Sequence, residues 1–193
     1  MGERPTTFGA QCTGDHLIRQ RGLDSEEDAE FEGANSALML YDRGTDWLDC
    51  YPAATRYTVE AFKQWAGPKE KVQSFHCDNA HELIGAARKC GWRCATATTG
   101  VPQTNGLAER MVRKSKEGGR CSIVQSGLCG KWWPRGTDTF CFHHNIEIVD
   151  GDSPIQPEAW KKGHYQGDIS QLWSVCEFHA AAGKPRKARC IRI

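Results

Sequence analysis

Two acidic residues in this 193-residue chain stand where a carboxylate does chemistry more readily than packing. Asp78 follows Val72-Gln73-Ser74-Phe75-His76-Cys77, a short apolar stretch that reads as a strand delivering an acid at its end. Glu109 falls in the first turn of a helix opened by the turn-rich run Gly100-Val101-Pro102-Gln103-Thr104-Asn105-Gly106. Carboxylates at the ends of separate elements, aimed at one cleft, suit a hard divalent cation such as Mg2+, which takes oxygen ligands and keeps several waters. Asp15 opens a further strand-like stretch, Asp15-His16-Leu17-Ile18, directly after Gly14. A surface-turn aspartate is the plainer alternative for that position. His16, His76 and His81 lie near these acids in sequence. Metal ions would make a general base unnecessary, so local hydrogen bonding is the simpler role for them.

The helix that carries Glu109 also carries cations. Arg113 and Lys116 follow Glu109 by four and seven positions, so all three share one helix face. The net charge of +1 hides a strong asymmetry: residues 24–32 hold six acids and no base, and residues 184–192 hold five bases and no acid. Residues 110–135 hold seven Lys or Arg against one Glu. Blocks of this kind suit nucleic-acid partners, although a solvated face has the same composition.

Stepping along the chain, residues 21–35 are acidic and poor in apolar side chains, which predicts a long loop. Residues 37–42 form an apolar run expected as a buried strand, Arg43-Gly44-Thr45-Asp46 a turn, and residues 47–52 its hairpin partner. Residues 58–67 have a Thr cap and apolar Val59, Phe62 and Trp65 at helical spacing. After the strand at 72–77 come a helix over 82–90 closed by Gly91, a strand over 92–98, and the helix from Leu107. Gly118-Gly119 and polar Ser115-Lys116 predict that this last helix frays or kinks after Lys116, since each mid-helix glycine costs about 1 kcal/mol relative to alanine. The fold class is therefore α/β, a mixed five-stranded sheet flanked by helices.

The stretch Asp78-Asn79-Ala80-His81-Glu82, and above all Pro102-Gln103-Thr104-Asn105-Gly106-Leu107-Ala108-Glu109-Arg110, resembles the second and third acid motifs of retroelement integrase catalytic cores. These are DDE transferases of the ribonuclease H-like fold, and the likeness is greatest to copia-type retrotransposons. Gly127 to Trp133, Phe140 to Asn145, Ser153 to Trp160 and Gln171 to Cys176 resemble further stretches of the same family, so the likeness spans residues 8–180. Thirty residues separate Asp78 from Glu109, fewer than the family usually has, yet Gly91 to Glu109 matches its interval without a gap.

The resemblance implies that Asp15 is the first acid, on the first strand, and that Asp42 is not one of the three. It implies catalysis and metal binding by Asp15, Asp78 and Glu109, with two Mg2+ (or Mn2+) ions about 3.5–4 Å apart activating the attacking oxygen and stabilising the leaving one. Asp15 would bridge both ions, and their carboxylate oxygens would gather in one metal-sized cluster. Gln103, Asn105, Arg110, Arg113 and Lys116 are the expected DNA contacts, and phosphate contacts of this kind position without reading sequence. The implied function is 3′-end processing and strand transfer of a retrotransposon's DNA, with element ends and target DNA as partners and a homo-oligomer as the working form. The alternative is a degenerate or domesticated fragment that binds nucleic acid without catalysis, favoured by the glycine pair and the shortened interval.

The expected division is a core over residues 1–150 and a C-terminal extension over 151–193. A hydrophobic content of 39% and a charged content of 25% fit a globular chain rather than a disordered one. No apolar run approaches the roughly 20 residues of a membrane helix, and no secretory signal opens the sequence. Neither a membrane nor a small-molecule substrate is expected, and the site of action would be nuclear, otherwise cytoplasmic. The ten cysteines lack the paired spacing of a zinc module, so reduced thiols are the expectation.

Overall fold

The strand that carries Asp15 is the middle of the sheet. In the computed structural model, which describes residues 5–18, 34–53, 58–67, 72–98 and 105–147, strand β1 (Cys12–Ile18) runs antiparallel to β2 (Ser36–Asp42) and parallel to β4 (Phe75–Cys77). Strand β3 (Leu48–Ala53) pairs with β2, and β5 (Cys94–Thr96) pairs with β4, giving the order β3-β2-β1-β4-β5. This is the mixed five-stranded sheet expected from the sequence. Consecutive residues Met39 and Leu40 point to opposite faces, yet both are fully buried, so helices cover the sheet on both sides.

One face is closed by α1 (Thr58–Ala66) and α2 (His81–Lys89). Helix α1 buries Thr58, Ala61, Phe62, Trp65 and Ala66, the apolar stripe of a 3.6-residue period. Phe62 stacks on Trp92 at a ring separation of 4.6 Å and meets Phe75 edge-on at 4.8 Å, joining α1 to β4 and to the turn after α2. That turn exists because Gly91 takes a left-handed φ of 72°, which lets Trp92 N–H donate to the Ala87 carbonyl and end α2.

The other face is closed by α3 (Gly106–Gln125) and α4 (Trp133–Ile146), the latter entered through a short 3-10 turn at Gly130–Trp132. Helix α3 does not fray after Lys116 as its glycines suggest; it runs unbroken for 20 residues. The reason is packing. A Cβ on Gly119 would lie 2.9 Å from Thr137 Oγ1, and one on Gly136 would lie 2.7 Å from the Gly119 carbonyl oxygen. The ring of Phe140 fills the place a side chain on Gly118 would take. Glycine here lets two helices cross closely, and the lost helix propensity is offset by that contact.

The β2–β3 hairpin is fastened twice at its turn end. Asp42 is fully buried, and its carboxylate accepts from Gly9 N–H (3.1 Å), Thr45 N–H (2.8 Å) and Thr45 Oγ1 (2.8 Å). It is a turn clamp. From α4, Asn145 donates to the Leu48 carbonyl (2.7 Å) and accepts from the Leu48 N–H (2.9 Å). The expected loop at 21–35 falls almost wholly outside the described residues, and the expected extension at 151–193 falls entirely outside them. Among the described residues no helix is long and apolar enough to cross a membrane.

Candidate active site

Parallel pairing of β1 with β4 brings the first two acids together. Gly14 and Cys77 are the last partners of that ladder, so Asp15 and Asp78 each occupy the next position along. Asp15 is not at a strand start, as its sequence context suggested, but in mid-strand, still paired with Met39 of β2. On the face opposite Asp15, Gly14 leaves the core no room: a Cβ there would stand 2.8 Å from Leu40 Cδ2 and 2.9 Å from Phe75 Cζ. Asp15 lies on the same strand face as Leu17, which packs with α3 and α4. Asp78 sits just past its strand, where its Oδ1 accepts from Ala80 N–H at 3.0 Å and shapes the turn into α2.

The third acid arrives from α3. Glu109 is exposed in the first turn, its N–H donating to the Asn105 carbonyl at 3.1 Å. Asp15 reports on all three carboxylates at once. Burial raises its pKa, and the negative charges of Asp78 and Glu109 push the same way. Hydrogen bonds from His16 N–H to Oδ1 (2.7 Å) and from Asn105 Nδ2 to Oδ2 (3.2 Å) oppose the rise.

The donor set fits a divalent cation in kind: hard oxygens from three separate elements around a half-buried aspartate. It is not drawn in tightly. Among the described residues no group of three or more His, Cys, Asp or Glu side chains is close enough to hold an ion. The metal-sized cluster expected from sequence is therefore not closed, and both Asp15 oxygens are occupied by N–H donors.

Arg110, Arg113 and Lys116 are exposed along α3, with Arg120 continuing the line. Gln103 lies outside the described residues. Asn105, expected as an outward polar finger, is turned inward onto Asp15. No sequence pattern announced that bond, because the two residues are 90 positions apart. The cysteines hold a second surprise: Cys77 and Cys94, on neighbouring strands, bring their sulfurs to 3.7 Å as free thiols.

No protein-family model and no curated protein sequence matches this chain. Solved structures do. The HTLV-2 integrase catalytic core domain, determined in complex with magnesium in a trimeric form, superposes with a TM-score of 0.55 at 12% identity, covering 78% of this chain and 97% of that one. The fold is that of a retroviral integrase core. A chain from the structure of the simian T-cell lymphotropic virus intasome in complex with PP2A regulatory subunit B56 gamma superposes with a TM-score of 0.57 at 11% identity. That match covers 87% of this chain and 61% of the other, so the present chain spans about three fifths of its length. At such identities the shared property is the ribonuclease H-like integrase fold, and side-chain roles have to be argued from this chain's own residues.

Proposed function

We propose that this chain is an integrase catalytic core that processes and joins DNA ends with a divalent metal, and that it derives from a copia-type retrotransposon. The observation that carries this is the parallel register that sets Asp15 and Asp78 side by side past the β1–β4 ladder, with Asn105 at the start of the Glu109 helix bonded to Asp15. Mg2+ or Mn2+ held by these three carboxylates would supply charge neutralisation and Lewis acidity at a phosphodiester. The protein's own contribution is placement. His16 N–H orients Asp15, the Ala80 N–H orients Asp78, and the first turn of α3 presents Glu109 on the same side of the sheet. Exposed Arg110, Arg113 and Lys116 extend positive charge away from the acids along α3, where a DNA backbone leaving the site would run. Gln103 would act in the loop before α3. DNA ends and target DNA are the proposed partners. A homo-oligomer is the proposed working form, in keeping with the trimeric and intasome contexts of the neighbouring structures.

The test is disintegration or strand transfer on oligonucleotide DNA in Mn2+, comparing wild type with Asp15→Asn, Asp78→Asn and Glu109→Gln. Loss of all joining in each variant, with DNA binding retained, supports the assignment. A specific observation favours the alternative of a DNA-binding chain without catalysis: the acids are not closed into an ion-sized cluster. The glycine pair no longer favours it, because Gly118 and Gly119 are packing positions. Wild-type protein that binds DNA but never cuts or joins it in Mn2+ or Mg2+ would establish the alternative.

A further inference from the structure

Asn105 occupies the N-cap of α3, where an asparagine side chain normally accepts a hydrogen bond from the second or third helical N–H. Here it makes no such bond. Its Nδ2 instead donates to Asp15 Oδ2, and its Oδ1 is buried without a hydrogen-bond partner. The orientation is forced, since turning the amide over would set two acceptor oxygens 3.2 Å apart. A forgone cap and an orphaned buried acceptor are two costs borne by one side chain. Both vanish if the amide leaves Asp15 and turns toward its own helix. What would make it leave is a competitor for the same oxygen.

We propose that Asn105 is a latch on the cation site, its amide holding Asp15 Oδ2 until a divalent cation takes that oxygen and then turning to cap α3. The inference rests on Asp15, Asp78 and Glu109 being the cation ligands. Asn105 is thus a positioning residue that sets how readily the site fills.

The amide and the cation compete, so removing the amide should tighten metal binding. Mn2+ binding to the whole chain is followed by electron paramagnetic resonance of the free ion. Asn105→Ser keeps a hydroxyl able to cap α3 and loses the reach to Asp15. Asn105→Ala loses both. Each variant is expected to bind Mn2+ more tightly than wild type by up to about tenfold, the worth of one hydrogen bond to a carboxylate less what the wild-type amide regains by capping α3. In wild type, the Asn105 side-chain amide resonances should move on Mg2+ addition, and in Asp78→Asn protein they should stay in place. Equal or weaker Mn2+ binding by both variants overturns the latch, and weaker binding makes Asn105 a ligand. Should the variants fail to fold, unmoved wild-type amide resonances at saturating Mg2+ overturn it equally. If wild type takes up Mn2+ and Asp78→Asn does not, the proposed function survives the loss of the latch. If wild type takes up none, both fall.

Discussion

Phe140 of α4 lays its ring in the space above Gly118 of α3, so that a side chain at Gly118 and the present ring cannot coexist. Helix propensity alone says that Gly118→Ala should stabilise the protein by about 1 kcal/mol. The packing reverses the sign: overfilling a close contact costs about 1–3 kcal/mol. Gly118→Ala is expected to lower the urea midpoint, and Phe140→Ala in the same chain to recover part of the loss. A double-mutant cycle measures that coupling, and additivity of the two changes would show that the ring does not sit where it is drawn.

Secondary structure was legible in this sequence because its signals are local. The apolar run at 37–42 and the left-handed Gly91 each act within a few residues, and each marks its element correctly, while Thr58, expected as a cap, is the first helical residue of α1. What could not be read was the meaning of residues set by distant partners. Gly118 and Gly119 carry the same local signal as a helix breaker, and only Thr137, Gly136 and Phe140 turn them into a crossing point. Asp78 could be placed at the end of its strand and Asp15 on the first strand, but their neighbourhood needed the parallel register of β1 with β4. Asn105 was legible as a turn residue, and its bond to Asp15 was not.

Asp78 repels Asp15 in the absence of metal, which ties its removal to stability. Asp78→Asn keeps an oxygen for the Ala80 N–H and removes the charge. In EDTA the variant should be more stable than wild type by about 0.5–1 kcal/mol, the relief expected at a strained functional site. Added Mg2+ should raise the Tm of wild type and leave that of the variant where it was. Thermal melts with and without Mg2+ check both halves.

His144 links three elements through its ring. Lys114 of α3 donates to Nδ1 at 3.3 Å, which leaves Nε2–H to donate to the Asp46 carbonyl at 3.1 Å in the hairpin turn. Burial first, and then the Lys114 charge, lower its pKa from the ordinary 6.5, against the opposing pull of Asp46 and Glu147. The unfolded chain therefore takes up a proton before the folded one does. Stability from this site is complete above pH 6.5 and declines as pH falls from there toward the lowered folded value. His144→Gln should flatten the fall in urea midpoint between pH 7 and pH 5, read as the difference in slope from wild type.

Arg113 and Lys116 lie on the exposed side of α3 with Glu109. Replacing both by alanine should weaken DNA binding and reduce its log–log salt slope by about two units, one for each lost phosphate contact. Asp78→Asn should leave that slope unchanged. Fluorescence anisotropy across a salt titration measures it, and a double variant with the wild-type slope would show that this face is merely solvated.

Asn145 has a consequence beyond holding the hairpin. Among the described residues β3 is the last strand of its sheet, and such a border invites another chain to add a strand. At Leu48 both backbone groups facing outward are already taken by one amide side chain, and Pro52 further along has no N–H to offer. Growth of the sheet from one copy into the next is shut on that side.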